Sequence, residues 1–181
     1  MKENMKQVTL IILLCLVFSI LFGILHNQVS ARVSEEYFTI GHRALIQSTS
    51  PTLMGIAWGV NSTWWVGLIL GVLLALAGRL GNRQRRSAAS LIKPLLMLFL
   101  VCGTASLLLG FAAYRLSSSG SIPFLKGMTD AIAVHRQPRY MAALWMHTAS
   151  YTAATMGGLI LAVRIVFDRL RKIREESPVH S

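Results

Sequence analysis

Four histidines are the residues of this sequence best suited to bind a metal ion or a cofactor. They are His26, His42, His135 and His147, and all four lie at the ends of apolar stretches or in the polar stretches between them. Glu36 lies in the same polar stretch as His42. Imidazole and carboxylate groups bind zinc, iron and copper, and histidine also ligates haem iron. We therefore treat His26, Glu36, His42 and His147 as candidate metal ligands.

The spacing of these histidines does not define a site by itself. No pair shows a His-x-x-x-His or a Cys-x-x-Cys spacing, which are typical of metal sites within one element. Their convergence depends on how the intervening segments fold. The same side chains are equally suited to a structural lid, in which buried polar groups hydrogen-bond one another. The sequence leaves both interpretations open and leaves the identity of any cofactor unknown.

Nucleophilic chemistry has weaker support. Ser150 follows His147 by about one helical turn, so the two residues share a helix face. A working Ser–His pair also needs an orienting group and an oxyanion hole, and the sequence shows neither. Cys15 and Cys102 lie within apolar stretches, which indicates small core residues. We assign no catalytic residue, and whether the chain is an enzyme stays open.

The elements that must position these side chains are apolar helices. The chain has 181 residues, of which 54% are hydrophobic and 14% charged, whereas about a quarter of a soluble domain is charged. Four apolar stretches reach the length of about 20 residues that a membrane-spanning helix needs. We predict a single all-α membrane domain, 1–181, that is a bundle of four transmembrane helices. The predicted spans are 8–26, 58–78, 94–114 and 143–167, with outer loops at 27–57 and 115–142 and a cytoplasmic loop at 79–93.

The first apolar stretch could also be read as a secretory signal peptide. It follows a basic start, and small residues at 29–31 resemble a cleavage site. The stretch is long for a signal peptide, and a polar segment that starts at His26 follows it. We expect the first span to be retained.

The basic residues predict the orientation in the membrane. The net charge is +11, and no groove-reading motif accompanies it, so we expect no nucleic-acid partner. Twelve of the 18 Lys and Arg residues flank one side of the predicted spans: Lys2, Lys6, Arg79, Arg83, Arg85, Arg86, Lys93, Arg164, Arg169, Arg171, Lys172 and Arg174. The remaining six are Arg32, Arg43, Arg115, Lys126, Arg136 and Arg139. The positive-inside rule places the side with twelve, and both termini, in the cytoplasm of a bacterial inner membrane.

The placement of acidic residues argues against a proton-coupled carrier. All seven lie outside the predicted spans, whereas proton-coupled carriers normally hold a carboxylate within the membrane. A small transporter or channel component that acts as an oligomer is a third alternative, beside a non-enzymatic membrane protein and a metal- or haem-binding subunit.

Small residues recur every four positions in the second predicted span. They are Gly55, Gly59, Thr63, Gly67, Gly71 and Ala75. Such a stripe lets two helix backbones approach closely, which is a main source of helix association in lipid. A shorter stripe in the fourth span contains Ala149, Ala153 and Gly157. We predict that these two helices pack together. The alternative is a homo-oligomer that forms through the second span. The lipid bilayer or another membrane protein would cover the remaining surface.

Three segments carry a resemblance to a known family. They are Glu-Tyr-Phe-Thr-Ile-Gly-His at 36–42, Thr-Trp-Trp-Val-Gly at 63–67 and Leu-Trp-Met-His-Thr-Ala-Ser-Tyr at 144–151. Over residues 23–165 the chain resembles a family of bacterial four-span membrane proteins without an assigned activity. The resemblance implies bacterial origin and a retained first helix, and it lends no activity. The family pattern has Asp after its first His, where this chain has Asn27, so a ligand at that position would be lost here.

The resemblance also implies a fold for the first outer loop. The string at 36–42 would fold back over the outer helix ends and bring Glu36 and His42 near His26 and His147. Such a cap would either bind a metal ion or act as a structural lid.

Overall fold

The computed structural model describes residues 2–81, 85–128 and 130–176, with the backbone alone for 172–176. Its elements in chain order are α1 (Lys2–Val33), α2 (Glu36–Thr39), α3 (Pro51–Arg79), α4 (Ile92–Ser118) and α5 (Gln137–Glu176). Single 3-10 turns, Ala89–Leu91 and Val134–Arg136, precede α4 and α5. No strand occurs in the described ranges. The prediction of an all-α bundle built on four long helices is confirmed.

Each of the four long helices is long and apolar enough to cross a membrane. In their most apolar windows only 22–28% of the residues are buried by other parts of the chain. Large apolar side chains are exposed instead, such as Phe111 at 68% and Ile160 at 65%. An apolar surface of this extent is unusual for a protein in water. The four predicted spans lie within these helices, and the finding supports a multi-pass membrane protein.

The chain divides into two compact units. One unit, here the terminal unit, comprises the described residues of Met1–Ile20, Thr63–Leu98 and Thr155–Ser181. The other, here the loop unit, comprises Leu21–Ser62 and Phe99–Ala154, apart from residue 129. Each long helix contributes one segment to each unit.

In the terminal unit, α1 and α3 approach closely at two glycines of the small-residue stripe. A Cβ atom on Gly67 would lie 2.7 Å from the Cα of Leu16, and one on Gly71 would lie 2.8 Å from the Cα of Ile12. Both distances are well inside van der Waals contact. The α5 glycine of the shorter stripe, Gly157, instead faces the side chain of Leu98 on α4.

Two buried arginines form hydrogen bonds at the C-terminal end of α3 in the same unit. The Arg169 guanidinium donates to the carbonyl oxygens of Ala77 and Leu80, the latter at 2.9 Å, and Arg79 donates to Asn4 Oδ1 at 2.8 Å. The last turn of a helix leaves carbonyls without partners inside the helix, and a cation there is favourable. Part of the basic cluster therefore stabilises the fold.

Other members of the predicted basic side are only partly described. Arg86 forms an ion pair with Asp168 at 2.9 Å. Arg83 and His180 lie outside the described residues, as do the side chains of Lys172 and Arg174.

In the loop unit the stripe again packs against α1. A Cβ atom on Gly59 would lie 2.5 Å from the Cα of Ile24, and one on Gly55 would lie 3.1 Å from the carbonyl carbon of Asn27. The prediction that the two stripes face each other is therefore wrong, because the stripe of α3 packs on the first span. The second and fourth spans do contact each other as predicted, since the Tyr151 hydroxyl donates to the Ser62 carbonyl oxygen at 3.1 Å.

The physical reason for the packing of α3 on α1 is a second small-residue stripe on α1. Its members are small, are buried and recur every four positions: Cys15, Ser19, Gly23, Asn27 and Ala31. Two facing stripes of small residues let the backbones come closer than one stripe against larger side chains would allow.

We expect Gly59→Ala to lower the thermal stability of the detergent-purified protein. The added methyl would overlap the α1 backbone, and overpacking of this kind costs about 1–3 kcal/mol. Gly103→Ala is the matched control, because its Cβ would meet only Phe22 Cε2 at an ordinary 3.8 Å. Equal melting temperatures for the two variants would contradict the close approach of α1 and α3.

Candidate functional site

The segment after α1 folds back in one tight turn of helix. The Ser34 N–H donates to the Ser30 carbonyl at 2.9 Å, and α2 follows directly. The N–H groups of Ile40 and Gly41 then donate to the Glu36 carbonyl at 2.9 and 3.0 Å. A Cβ atom on Gly41 would overlap the Tyr140 hydroxyl. Any side chain at this position would therefore force Tyr140 or the turn itself to shift.

The turn inserts two aromatic side chains into the loop unit. Tyr37 and Phe38 are buried in a cluster that also contains Ala31, Met54, Ile132, Tyr140 and Ala143. Phe124 and Met128, from the segment between α4 and α5, pack against this cluster. We call this cluster, together with His26, His42 and His147, the cap.

Three of the candidate histidines lie within the cap. The His147 ring stacks on the Tyr37 ring with centroids 4.5 Å apart. It is nearly perpendicular to the His26 ring, with centroids 4.6 Å apart. The centroid of the His42 ring lies 4.7 Å from that of the Tyr37 ring and 5.2 Å from that of the Trp58 ring. The structure thus brings His26 next to His147, with Tyr37 in contact with both His42 and His147. His135 is exposed in the turn before α5.

Each of these three imidazoles is hydrogen-bonded to a protein atom. His26 Nε2 lies 2.9 Å from Ser106 Oγ, and His42 Nδ1 lies 2.8 Å from the Tyr37 carbonyl oxygen. A carbonyl oxygen only accepts, so His42 Nδ1 is the donor. His147 Nε2 lies 3.2 Å from Ser30 Oγ.

The Ser30 hydroxyl fixes the direction of its bond with His147. It donates to the carbonyl oxygen of His26, one turn earlier, at 3.2 Å. A hydroxyl carries one proton, so Ser30 accepts from His147 Nε2. Because Nε2 then carries the proton, it is not a metal-binding atom in this arrangement.

Glu36 is committed to other partners. Its carboxylate accepts from Ser34 Oγ at 2.8 Å and from the Arg136 guanidinium. Arg136 also pairs with Glu35 at 3.1 Å. Burial alone would raise the pKa of the Glu36 carboxyl, but the hydrogen bonds from Arg136, from a backbone N–H and from Ser34 together hold that pKa below its ordinary value.

The predicted ligands therefore come together only in part. His26, His42 and His147 lie in the cap, while the Glu36 carboxylate is directed at Arg136. Among the described residues, no three His, Cys, Asp or Glu side chains form a group that could hold a metal ion. The four-ligand metal site stays a prediction.

The structure also places the other residues considered for chemistry, which are Ser150, the two cysteines and Asn27. The Ser150 hydroxyl donates to the backbone carbonyl of His147 at 3.0 Å, and this bond does not involve the imidazole. Cys15 and Cys102 are fully buried free thiols, as expected for small core residues. The Asn27 amide donates to the Gly23 carbonyl, while its buried Oδ1 accepts no bond from the described residues.

Sequence reasoning missed three residues that hold the cap together. Ser30 lies one helical turn after His26, and that spacing could have indicated a shared face. Ser106 and Arg136 carry no such signal, because their partners lie 80 and 100 positions away.

Comparison with known proteins adds no assignment. No protein-family model, no curated protein and no solved structure matches this chain. The geometry of the cap and the surfaces around it are therefore the evidence for a function.

We expect Arg136→Gln to lower the melting temperature at about pH 7, because it leaves the buried Glu36 carboxylate without its charged partner. Since the folded pKa of Glu36 is lowered from 4.5, the pair stabilises the protein above about pH 4.5. That stabilisation is lost as the pH falls through the lowered pKa. The difference between wild type and variant should therefore shrink in acid.

Arg43→Gln, a change of the same chemistry at an exposed arginine between α2 and α3, is the control and should have little effect. A difference between wild type and Arg136→Gln that stays constant from about pH 7 to about pH 3 would contradict the role of the Glu36 charge.

Proposed function

We propose that this chain is a four-span bacterial inner-membrane protein, with both termini in the cytoplasm and a structural cap on the extracytoplasmic side. In this proposal its role is non-enzymatic, and the cap presents a fixed surface to the outside. One observation carries it: the imidazoles of His26, His42 and His147 are bonded to protein atoms and packed against aromatic rings. Such a cap needs no ligand to satisfy its polar groups.

The orientation is supported by the distribution of charge and of tryptophan. The loop unit contains six Lys and Arg residues, against the twelve assigned to the opposite side. Trp145 in the loop unit is 41% exposed, and Trp64 and Trp65, which follow the end of that unit's α3 segment at Ser62 by two and three positions, are 47 and 45% exposed. Tryptophan is enriched where a membrane meets water, which suits an interface near the loop unit.

The bacterial origin is supported by the family resemblance. Its most specific string, at 36–42, forms α2 and the turn that enters the cap. A family that shares this string would share the inserted Tyr37 and Phe38, and we infer that the chain is a member.

A metal- or haem-binding role is the alternative that one observation favours. The rings of His26 and His147 are 4.6 Å apart, and the buried Asn27 Oδ1 in the same unit has no partner among the described residues. Binding through Nε2 would require these histidines to leave Ser106 and Ser30. The metal content of the purified protein tests this role, and wild-type protein without metal or haem would exclude it.

Cysteine labelling in intact cells tests the orientation and the closed cap together. In a Cys15→Ala, Cys102→Ala background, we expect the exposed Ser119→Cys to react with a membrane-impermeant maleimide. Ala31→Cys should stay protected, because Ala31 is buried in the cap although it lies outside the predicted spans. Ala89→Cys, on the opposite side, should react only after permeabilisation.

Two different results would contradict the two parts of this proposal. Equal labelling of Ala31→Cys and Ser119→Cys would contradict a closed cap. Labelling of Ala89→Cys in intact cells would contradict the orientation.

A further inference from the structure

A groove of about 410 Å³ lies between α1, α4 and α5 in the loop unit. Its walls are largely apolar and include Val29, Leu107, Phe111 and Met146. The first three are between 44 and 68% exposed, so the groove opens to the surroundings of the helices. Its volume falls within the range of about 300–1,000 Å³ that is typical of ligand pockets. In a membrane, the neighbour of such a groove is a hydrocarbon chain.

The close approach of α4 and α5 forms part of the groove. A Cβ atom on Gly110 would meet the side chain of Met146 and would lie 3.3 Å from the Ala142 carbonyl oxygen. All three residues line the groove. A larger residue than glycine would push the two helices apart or fill the space.

Two arginines line one part of this groove. Arg32 belongs to the last turn of α1, and Arg139 lies in the first turn of α5. Both also line a neighbouring polar cavity of about 270 Å³, together with Glu35, Glu36 and Arg136. The apolar groove and the polar cavity thus share three lining residues, Arg32, Val33 and Arg139.

Neither of these two arginines forms an ion pair with the nearby Glu35 or Glu36. Glu35 and Glu36 both pair with Arg136. Arg32 donates to uncharged oxygens, those of Gln28 at 2.7 Å and of Thr52 at 2.9 Å. Arg139 is exposed and makes no hydrogen bond or ion pair with the described residues. Two positive charges without an acidic partner therefore lie at the edge of an apolar groove.

We propose that this groove binds an anionic phospholipid, with its phosphate on Arg32 and Arg139 and an acyl chain along Val29, Leu107 and Phe111. Guanidinium groups bind phosphate through paired hydrogen bonds, and basic pockets between membrane helices bind anionic headgroups. A free phosphate would leave the apolar groove unused, and a zwitterionic headgroup would bring a second cation to the two arginines. The site rests on the membrane location and is independent of the orientation and of the role of the cap.

Native mass spectrometry of delipidated protein in a non-ionic detergent tests the site. We expect phosphatidylglycerol to be retained in preference to phosphatidylcholine. Arg139→Gln should weaken phosphatidylglycerol binding by about tenfold, which is about 1.4 kcal/mol, and Arg32→Gln should act in the same direction. Arg139 is exposed, so its variant should keep the wild-type melting temperature. Arg43→Gln, outside the groove lining, should bind like wild type.

Three results would overturn the proposal. The first is equal retention of the two lipids. The second is an equal loss of binding in Arg139→Gln and Arg43→Gln. The third is displacement of phosphatidylglycerol by inorganic phosphate at comparable concentration, because it would mean that the acyl chain contributes nothing. A labelling result that disproves the closed cap would leave this site untouched, so the two proposals fail independently.

Discussion

The close approach of α1 and α3 is the constraint from which the rest of the described structure follows. Helices in lipid gain little from hiding apolar side chains from one another, so backbone contact through small residues supplies much of their attraction. Gly59 lies against Ile24, and Gly67 lies against Leu16. This contact fixes α1 relative to α3 within each unit, and α1 in turn carries both His26 and Ser30.

The cap depends on that placement. Ser30 reaches His147 on α5, and His26 reaches Ser106 on α4. Polar groups in a low-dielectric surrounding are costly when they lack partners, so these bonds decide whether the histidines are stable inside the loop unit. Glu36 is held in the same way by Ser34 and Arg136. Of the polar side chains that suggest a metal site, His26 and His147 thus join α1 to α4 and α5, and Glu36 joins the first loop to the turn before α5.

The helices could be predicted from the sequence because length and hydropathy are local properties. The stripe on α3 could also be predicted to be a helix-packing face, since glycine at four-residue spacing lies on one side of a helix. Its partner could not be predicted, because the stripe on α1 mixes cysteine, serine, glycine, asparagine and alanine among large apolar residues. The gathering of His26, His42 and His147 was anticipated, but their partners were not. Ser30 and His147 are separated by 117 positions, and only the packing of α1 against α5 in the folded protein brings them together.

We propose that the cap is folded by its own hydrogen bonds, without a metal or haem. Hydrogen–deuterium exchange of chelator-treated, detergent-purified protein tests it most directly, at the N–H groups of Phe38, Ile40 and Gly41, which donate to the carbonyls of Glu35 and Glu36. We expect exchange at least about tenfold slower than in an unstructured segment, and no change on adding zinc, copper or haem. Exchange at the unstructured rate, slowed only when a metal or haem is added, would contradict it.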